Sequence, residues 1–355
     1  MIDRTSFMPL YLQVKNDIIS QIENGTIKIG DKLMSESEML QYYGVGRMTI
    51  RSALTELVAE GCLKKEQGLG SFCIAYPQRT RRLNIDVLIN GNDIFFIPYV
   101  LKGISRVLEE NSCNLLLHDT KDSDEQIKTV LRDILVKGTD GVILQPSTVE
   151  SKHDNELLEI LAQFAAAGIP IVTICGLIPD GNILSLCIDD YYGAKVATNY
   201  LLDCGHKRIL GLFSEDRTGT RLRQAGFHDT VAEADVTAFE ITDADYQDEL
   251  LRLVREENIT AVMCCNDRLA ADSLRLIVEN GYRVPEDVSV TGYNNTELSL
   301  STTPQLTTVV HPKDHMGSDA ARMLLLLIGA PGSHQSSVVY RPELVIRQSV
   351  ANINE

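Results

Sequence analysis

Long apolar runs are missing from this sequence. The longest uninterrupted aliphatic stretch is MLLLLI, Met323 to Ile328, far short of the roughly 18 residues that read as a membrane span. The opening MIDRTSFMPLYLQV carries an early acid and no apolar core followed by a small-residue cleavage site. It does not read as a secretory signal, and the expected location is the cytoplasm, away from membranes. The 8 cysteines stand at irregular spacings without a C-x-x-C pair, which predicts reduced, mostly buried thiols rather than disulfides or a zinc site. A phosphate-binding loop, a G-x-S-x-G elbow and an H-E-x-x-H pair are also absent, and the 7 histidines are scattered. No catalytic residue, metal ligand or cofactor is expected, and the chain does not read as an enzyme.

What is present is ample. A chain of 355 residues is long enough for two or three domains at a prior of roughly 150 residues each. Its 44% hydrophobic and 23% charged residues are globular proportions. A net charge of -16 would by itself argue against nucleic acid as a partner. The average hides a division: residues 1–83 hold 11 basic against 9 acidic side chains, net +2, and the remainder 22 against 40, net -18. Such asymmetry separates a polyanion-binding head from an acidic body.

The head reads as short helices and a hairpin. Tyr11, Val14, Ile18, Ile19 and Ile22 recur at helical spacing up to Gly25. Ser35 with Glu38 three residues on forms a capping box for a second helix, ended by Gly44. A third follows at 47–61, with Ile50, Leu54, Leu57 and Val58 predicted on one face and Arg47 and Arg51 on another. Two helices joined by a short Gly-containing turn make a helix-turn-helix. The segment 62–74, with glycines around Gln67-Gly68-Leu69-Gly70, predicts the hairpin of a wing. The expected boundaries are 1–75 for the winged helix-turn-helix, 76–83 for a Pro-containing basic linker and 84–355 for the body.

The body alternates short β-branched runs with amphipathic helices, which predicts an α/β fold with doubly wound parallel sheets. One series runs from IDVLI to IPIVTI; after the turn IPDGN a second restarts at LCIDD and ends near VSVTGY. Two series predict two similar lobes, with a ligand at the carboxyl ends of the strands and in the cleft between sheets.

Residues 9–73 resemble the GntR family of bacterial regulators in PLYLQVKNDI, GDKLMSESEML, VGRMTIRSALTELVAEG and GLGSF. The body resembles the effector domain of the LacI/GalR family, a two-lobed periplasmic-binding-protein-like fold, in IDDYYGAKVATNYLLDCGHKRI, RLRQAGF, CNDRLA, VPEDVSVTGYNN and PQLTTVVHP. The union implies a homodimeric repressor that leaves double-stranded operator DNA on binding a small sugar, L-arabinose first. The alternative is a regulator whose effector or co-repressor is another sugar, a sugar phosphate or another metabolite. Two positions depart from the pattern: Gly46 stands where a Ser usually precedes the recognition helix, and Asn294-Asn295 where relatives often carry two Asp.

Groove contacts need donors at the start of the recognition helix, which Arg47, Thr49 and Arg51 supply. Ser35 and Glu36 open helix two, where backbone amides can hold a phosphate. Gln67, Gly68 and Gly70 form the wing tip, placed for the minor groove or simply exposed. Sugar recognition needs planar polar groups that bridge adjacent hydroxyls, plus a ring face. Arg223 leads by motif, with its fork of donors. Asn266 and Asp267 follow one strand, Asp267 serving equally as a helix N-cap. Asn294 ends another strand, Gln145 a third, and His311 sits at the crossing between lobes. Asp93 and Phe95 follow the first body strand, as a hydroxyl acceptor and a ring face.

Overall fold

The computed structural model describes residues 10–23, 25–66, 69–75, 82–91, 94–146, 154–178, 183–214, 218–234, 236–242, 245–330 and 335–354. Two units make up the chain, Met1–Arg82 and Leu83–Glu355. The expected linker at 76–83 falls mostly outside the described residues.

In the first unit, α1 (Leu10–Glu23) buries Val14, Ile18 and Ile22, four residues apart on one face. Helix α2 (Glu36–Tyr43) begins with the reciprocal cap expected of its sequence: the Glu38 amide donates to Ser35 Oγ at 3.3 Å, and the Ser35 amide donates to Glu38 Oε2 at 2.7 Å. Each bond satisfies an amide that the first turn leaves without a helical partner. Helix α3 (Arg47–Ala59) is entered from Gly46, whose backbone is extended but offers no side-chain cap. Ile50, Ala53, Leu54 and Leu57 form its buried face. Val58, expected there, is 38% exposed, because the buried stripe is centred on Ile50, Leu54 and Leu57 and has Ala53 on its other edge. Strands β1 (Leu63–Glu66) and β2 (Gly70–Cys73) pair antiparallel, with Leu63 opposite Cys73, and Lys32 bridges to Phe72 on the open side of β2. One core, including Leu33, Met39, Tyr43, Leu63 and Cys73, joins the helices to this wing.

The second unit builds its first lobe from β3 (Asn84–Ile89), α4 (Ile97–Glu110), β4 (Asn114–Asp119), α5 (Asp124–Lys137), β5 (Gly141–Leu144), α6 (Asn155–Ala166), β6 (Ile171–Ile174) and β7 (Leu184–Ile188). The chain then crosses and lays down α7 (Asp190–Asp203), β8 (Arg208–Leu212), α8 (Thr218–Glu233), β9 (Thr237–Ile241), α9 (Gln247–Glu256), β10 (Ala261–Cys264), α10 (Asp267–Glu279), β11 (Ser289–Asn294), α11 (Leu298–Ser301) and β12 (Thr307–Val310). It returns with α12 (Lys313–Gly329) and β13 (Val338–Tyr340), then crosses once more to β14 (Leu344–Val345). The sheet orders are β13-β7-β6-β5-β3-β4 and β14-β12-β11-β10-β8-β9. Every pair is parallel except β14 on β12.

This corrects the expected division. LCIDD does not open the second lobe: its strand β7 pairs with β6 in the first sheet, and the first lobe is completed by α12 and β13 from far along the chain. Met316, Ala320, Ala321 and Leu324 of α12 pack on Val100, Ile104 and Val107 of α4 over that sheet. Burying one large aliphatic side chain contributes roughly 1.5–3 kcal/mol, so this return is part of the lobe's core, not an accessory. The opposite face is covered by α5 and α6, and the second sheet is covered on its two faces by α7 and α8, and by α9 and α10.

Three crossings therefore join the lobes, at 188–190, 310–313 and 340–344. They are tied to one another: the Asp189 amide donates to Tyr340 O at 2.9 Å and the Val310 amide to Glu343 O at 2.7 Å. The Arg341 guanidinium lies 4.1 Å from the centre of the Tyr192 ring. Among the described residues, no helix is long and apolar enough to cross a membrane.

Candidate DNA-binding face and effector site

In the head, Arg47 and Arg51 are exposed on successive turns at the start of α3, with Thr49 half-buried between them. Arg51 is already engaged: its Nε donates to Glu36 Oε2 at 3.0 Å, and Lys65 from β1 donates to Glu36 Oε1 at 3.0 Å. Those two bonds, that from Arg51 first, hold the Glu36 carboxyl below the usual carboxylate range. Glu36, expected at a phosphate-binding helix start, thus also links α2, α3 and the wing. Ser35 Oγ serves its own helix as cap. Gly70 opens β2 at φ +116°, a backbone conformation that L side chains rarely adopt. Gln67 and Gly68 lie outside the described residues. Met48, which the sequence reading did not single out, is 74% exposed on the first turn of α3, and an apolar side chain off the buried stripe is chemically suited to a thymine methyl.

In the body, the crossings gather a buried polar cluster. Arg223, in α8, donates Nε to Asp190 Oδ1 at 2.8 Å and Nη1 to Cys265 O at 2.5 Å. Its guanidinium carbon stands 3.7 Å from the centre of the Tyr293 ring. Both ionic side chains are nearly enclosed, at 12% and 11% exposure. The carboxylate of Asp190, the first residue of α7, keeps the guanidinium charged against its burial. Tyr293 is fully buried in β11, and its hydroxyl leaves no room at Gly193, where a Cβ would come within 2.1 Å of it. Neither Asp190 nor Tyr293 was singled out from the sequence. Each is visible only as the last polar letter of a strand-like run, and its partner is remote in the chain.

His311 lies at the second crossing, buried, with its ring edge-on to Phe96 of the first lobe at 4.6 Å. Its Nδ1 has no hydrogen-bond partner. Phe95, expected as a ring face for the ligand, is half-buried, and the ring that meets His311 is that of the next residue, Phe96. Asn294 ends β11 at φ +100°, its Oδ1 buried and unbonded. Asn266 is the cap of α10, its side chain accepting the Leu269 amide at 2.8 Å. Asp267, read as a cap or ligand contact, is not the cap, which is Asn266. It accepts from Thr308 Oγ1 at 2.5 Å and from the Thr296 amide and hydroxyl at 2.5 and 2.9 Å, so its carboxylate secures the turn after Asn294. Gln145 follows β5 and accepts the Asn90 amide at 3.1 Å, which pins the carboxyl ends of two neighbouring first-lobe strands. Asp93 lies outside the described residues. The structure thus brings Arg223, Asn294 and His311 to one junction, with a buried donor fork and with Asn294 Oδ1 and His311 Nδ1 among the buried polar atoms left without a partner, a set that can receive vicinal hydroxyls.

Two buried imidazoles give the body's stability an expected pH dependence. His206 is hydrogen-bonded to the Thr260 hydroxyl at 3.0 Å and to Ala351 O at 3.2 Å, yet burial pushes it below its ordinary range. His311 is driven further down, by burial first and then by the Arg223 and Lys313 charges. The fold holds both neutral, so below roughly pH 6.5 the unfolded chain binds protons that the folded chain does not. Their contribution is whole above that pH and is lost as the pH falls through it. Calorimetric unfolding should show the body's midpoint falling from about pH 7.5 to about pH 5.5, with a shallower slope in His206→Gln; a slope identical in the variant would remove His206 from the account.

Comparison with known proteins agrees with both halves. Residues 10–73 match the gntR family of bacterial regulatory proteins, and residues 198–350 match a periplasmic binding protein-like domain. The arabinose metabolism transcriptional repressor of Halalkalibacterium halodurans is 32% identical over 365 residues, covering 96% of this chain and 96% of that protein. The protein of the same name from Geobacillus stearothermophilus is 30% identical over 362 residues, covering 98% and 99%. Among solved structures, a LacI family transcriptional regulator from Enterococcus faecium with bound ribose superposes with a TM-score of 0.66 at 22% identity, covering 76% of this chain and 100% of that one, a likeness of fold.

Proposed function

This chain belongs to the family of bacterial transcriptional repressors that join a gntR-type DNA-binding head to a periplasmic-binding-protein-like sugar-binding body, and from that premise we propose that it releases its operator on binding L-arabinose. It is a regulator and not an enzyme. The observation that carries the proposal is the junction of Arg223, Asn294 and His311, where Phe96 of the first lobe meets His311 and where Asn294 Oδ1 and His311 Nδ1 are buried without a hydrogen-bond partner. A sugar bound there favours one arrangement of the lobes. In a dimer, that bias reaches the two heads and lowers their joint fit to two half-sites. An exposed edge strand, β4, with Leu116 and Leu117 uncovered, supports a second copy of the chain on that side.

The test is fluorescence anisotropy of a labelled operator, selected in vitro with the full-length protein, titrated with L-arabinose at fixed salt. Release is the expected result, accompanied by a rise in melting temperature, since a ligand at 100 times its Kd adds about 2.7 kcal/mol to the folded state. No release and no thermal shift with L-arabinose, against a response to another sugar or a sugar phosphate, would reassign the effector.

A further inference from the structure

The ligand-facing turn of the second lobe is gripped from the first. Lys313, which opens α12, donates its Nζ to the carbonyls of Asn294 and of Asn295, the latter at 3.1 Å. These are the residues at φ +100° and +47°, positions where non-glycine backbone needs support from its surroundings. Tyr99 of α4 faces Lys313, its ring centre 5.7 Å from the Nζ, and donates its hydroxyl to Glu297 Oε1 at 2.5 Å. Glu297 directly precedes α11, at the end of the same turn. Lys313 at the second crossing and Tyr99 of the first lobe thus hold the two ends of the segment 294–297 through atoms other than Asn294 Oδ1 and His311 Nδ1, which are both left unbonded.

We propose that Tyr99 and Lys313 are positioning residues for the effector response, a latch that favours the lobe arrangement in which Phe96 of the first lobe closes on the Arg223, Asn294 and His311 junction of the second. This rests on the sugar reading above. A ligand that touches both lobes binds only while they are juxtaposed, so its apparent affinity scales with the fraction of protein in that arrangement. The Tyr99–Glu297 bond joins residues 198 apart in sequence and on different lobes, so it exists only in that arrangement. Losing it lowers the fraction without removing a ligand contact. Lys313 is buried, and its removal would strand two carbonyls, whereas Tyr99 can lose its hydroxyl and keep its ring.

The experiment therefore uses Tyr99→Phe and Glu297→Gln in the full-length protein. Calorimetric titration with L-arabinose should give a Kd roughly fivefold weaker for Tyr99→Phe, at the lower end of ordinary coupling, and near wild type for Glu297→Gln, which keeps an acceptor. A second readout needs no sugar. Spin labels introduced as unnatural amino acids at Val136 of α5 and Arg275 of α10, both exposed, report the distance between lobes; Tyr99→Phe should broaden its distribution towards longer values. If wild type ignores L-arabinose, the sugar reading fails while the distance measurement still judges the latch. An unchanged distance distribution in Tyr99→Phe overturns the latch, and a shifted distribution with unchanged Kd overturns its coupling to the effector.

Discussion

Arg51→Ala should weaken operator binding by about 1–3 kcal/mol and relax discrimination at one base pair, the loss expected when a bidentate base contact disappears. The structure places the expectation at the upper end. Arg51 and Lys65 share the Glu36 carboxylate, so deleting the guanidinium removes one of its two partners and leaves negative charge on the face proposed to meet DNA. Arg51 is 55% exposed at its side chain, so the fold does not depend on it, and helix content and melting temperature should stay at wild-type values. Salt titration separates base from backbone contact. A base contact leaves the slope of log affinity against log salt unchanged, whereas a lost phosphate contact reduces it by about one. Operator affinity equal to wild type at fixed salt would take Arg51 out of the groove.

Arg223→Ala should abolish the response to sugar, but it should also damage the body. Removing one member of an enclosed ion pair leaves the other charge buried without compensation, at a cost of about 3–5 kcal/mol, and Asp190 is as enclosed as Arg223. A lower melting temperature is therefore expected of the Ala variant, and a silent phenotype would be ambiguous. Arg223→Lys separates the roles: it keeps a cation beside Asp190 but lacks the planar fork and the stacking on Tyr293. It should fold and bind operator as wild type does, yet need at least roughly tenfold more sugar for release, a difference near 1.4 kcal/mol. If calorimetry shows Arg223→Lys binding L-arabinose as tightly as wild type, Arg223 is a structural bolt of the second lobe and the pocket lies elsewhere.

The head was legible because its signals are local. A capping box spans four residues, Gly44 stops α2 where expected, and the hairpin register follows from neighbouring residues. Even so, periodicity near a helix end misassigned Val58, since it does not say where the core surface stops. In the body, alternation revealed what each element is but not which sheet it joins. The strand at LCIDD therefore went to the wrong lobe, and the return of α12 across the molecule left no mark in the local pattern. The candidate site residues divide the same way. Arg223, Asn294 and His311 could be marked by motif or strand end, but Asp190 and Tyr293 act through partners brought together only by folding. Between Phe95 and Phe96, in an aperiodic turn, nothing local decided which ring turns inward.

The late return of α12 also sets an order of events at the ribosome. The first lobe begins to emerge early, but the face made by Val100, Ile104 and Val107 waits for Met316, Ala320 and Leu324. At bacterial synthesis speeds that wait is on the order of ten seconds or more, during which an apolar helix face and an incomplete sheet are open to chaperones and to other nascent chains. A premature stop just before Lys313 would therefore spare every β-strand from β7 through β12 and still ruin the lobe made first. Damage at the end of the message would surface as aggregation of its beginning.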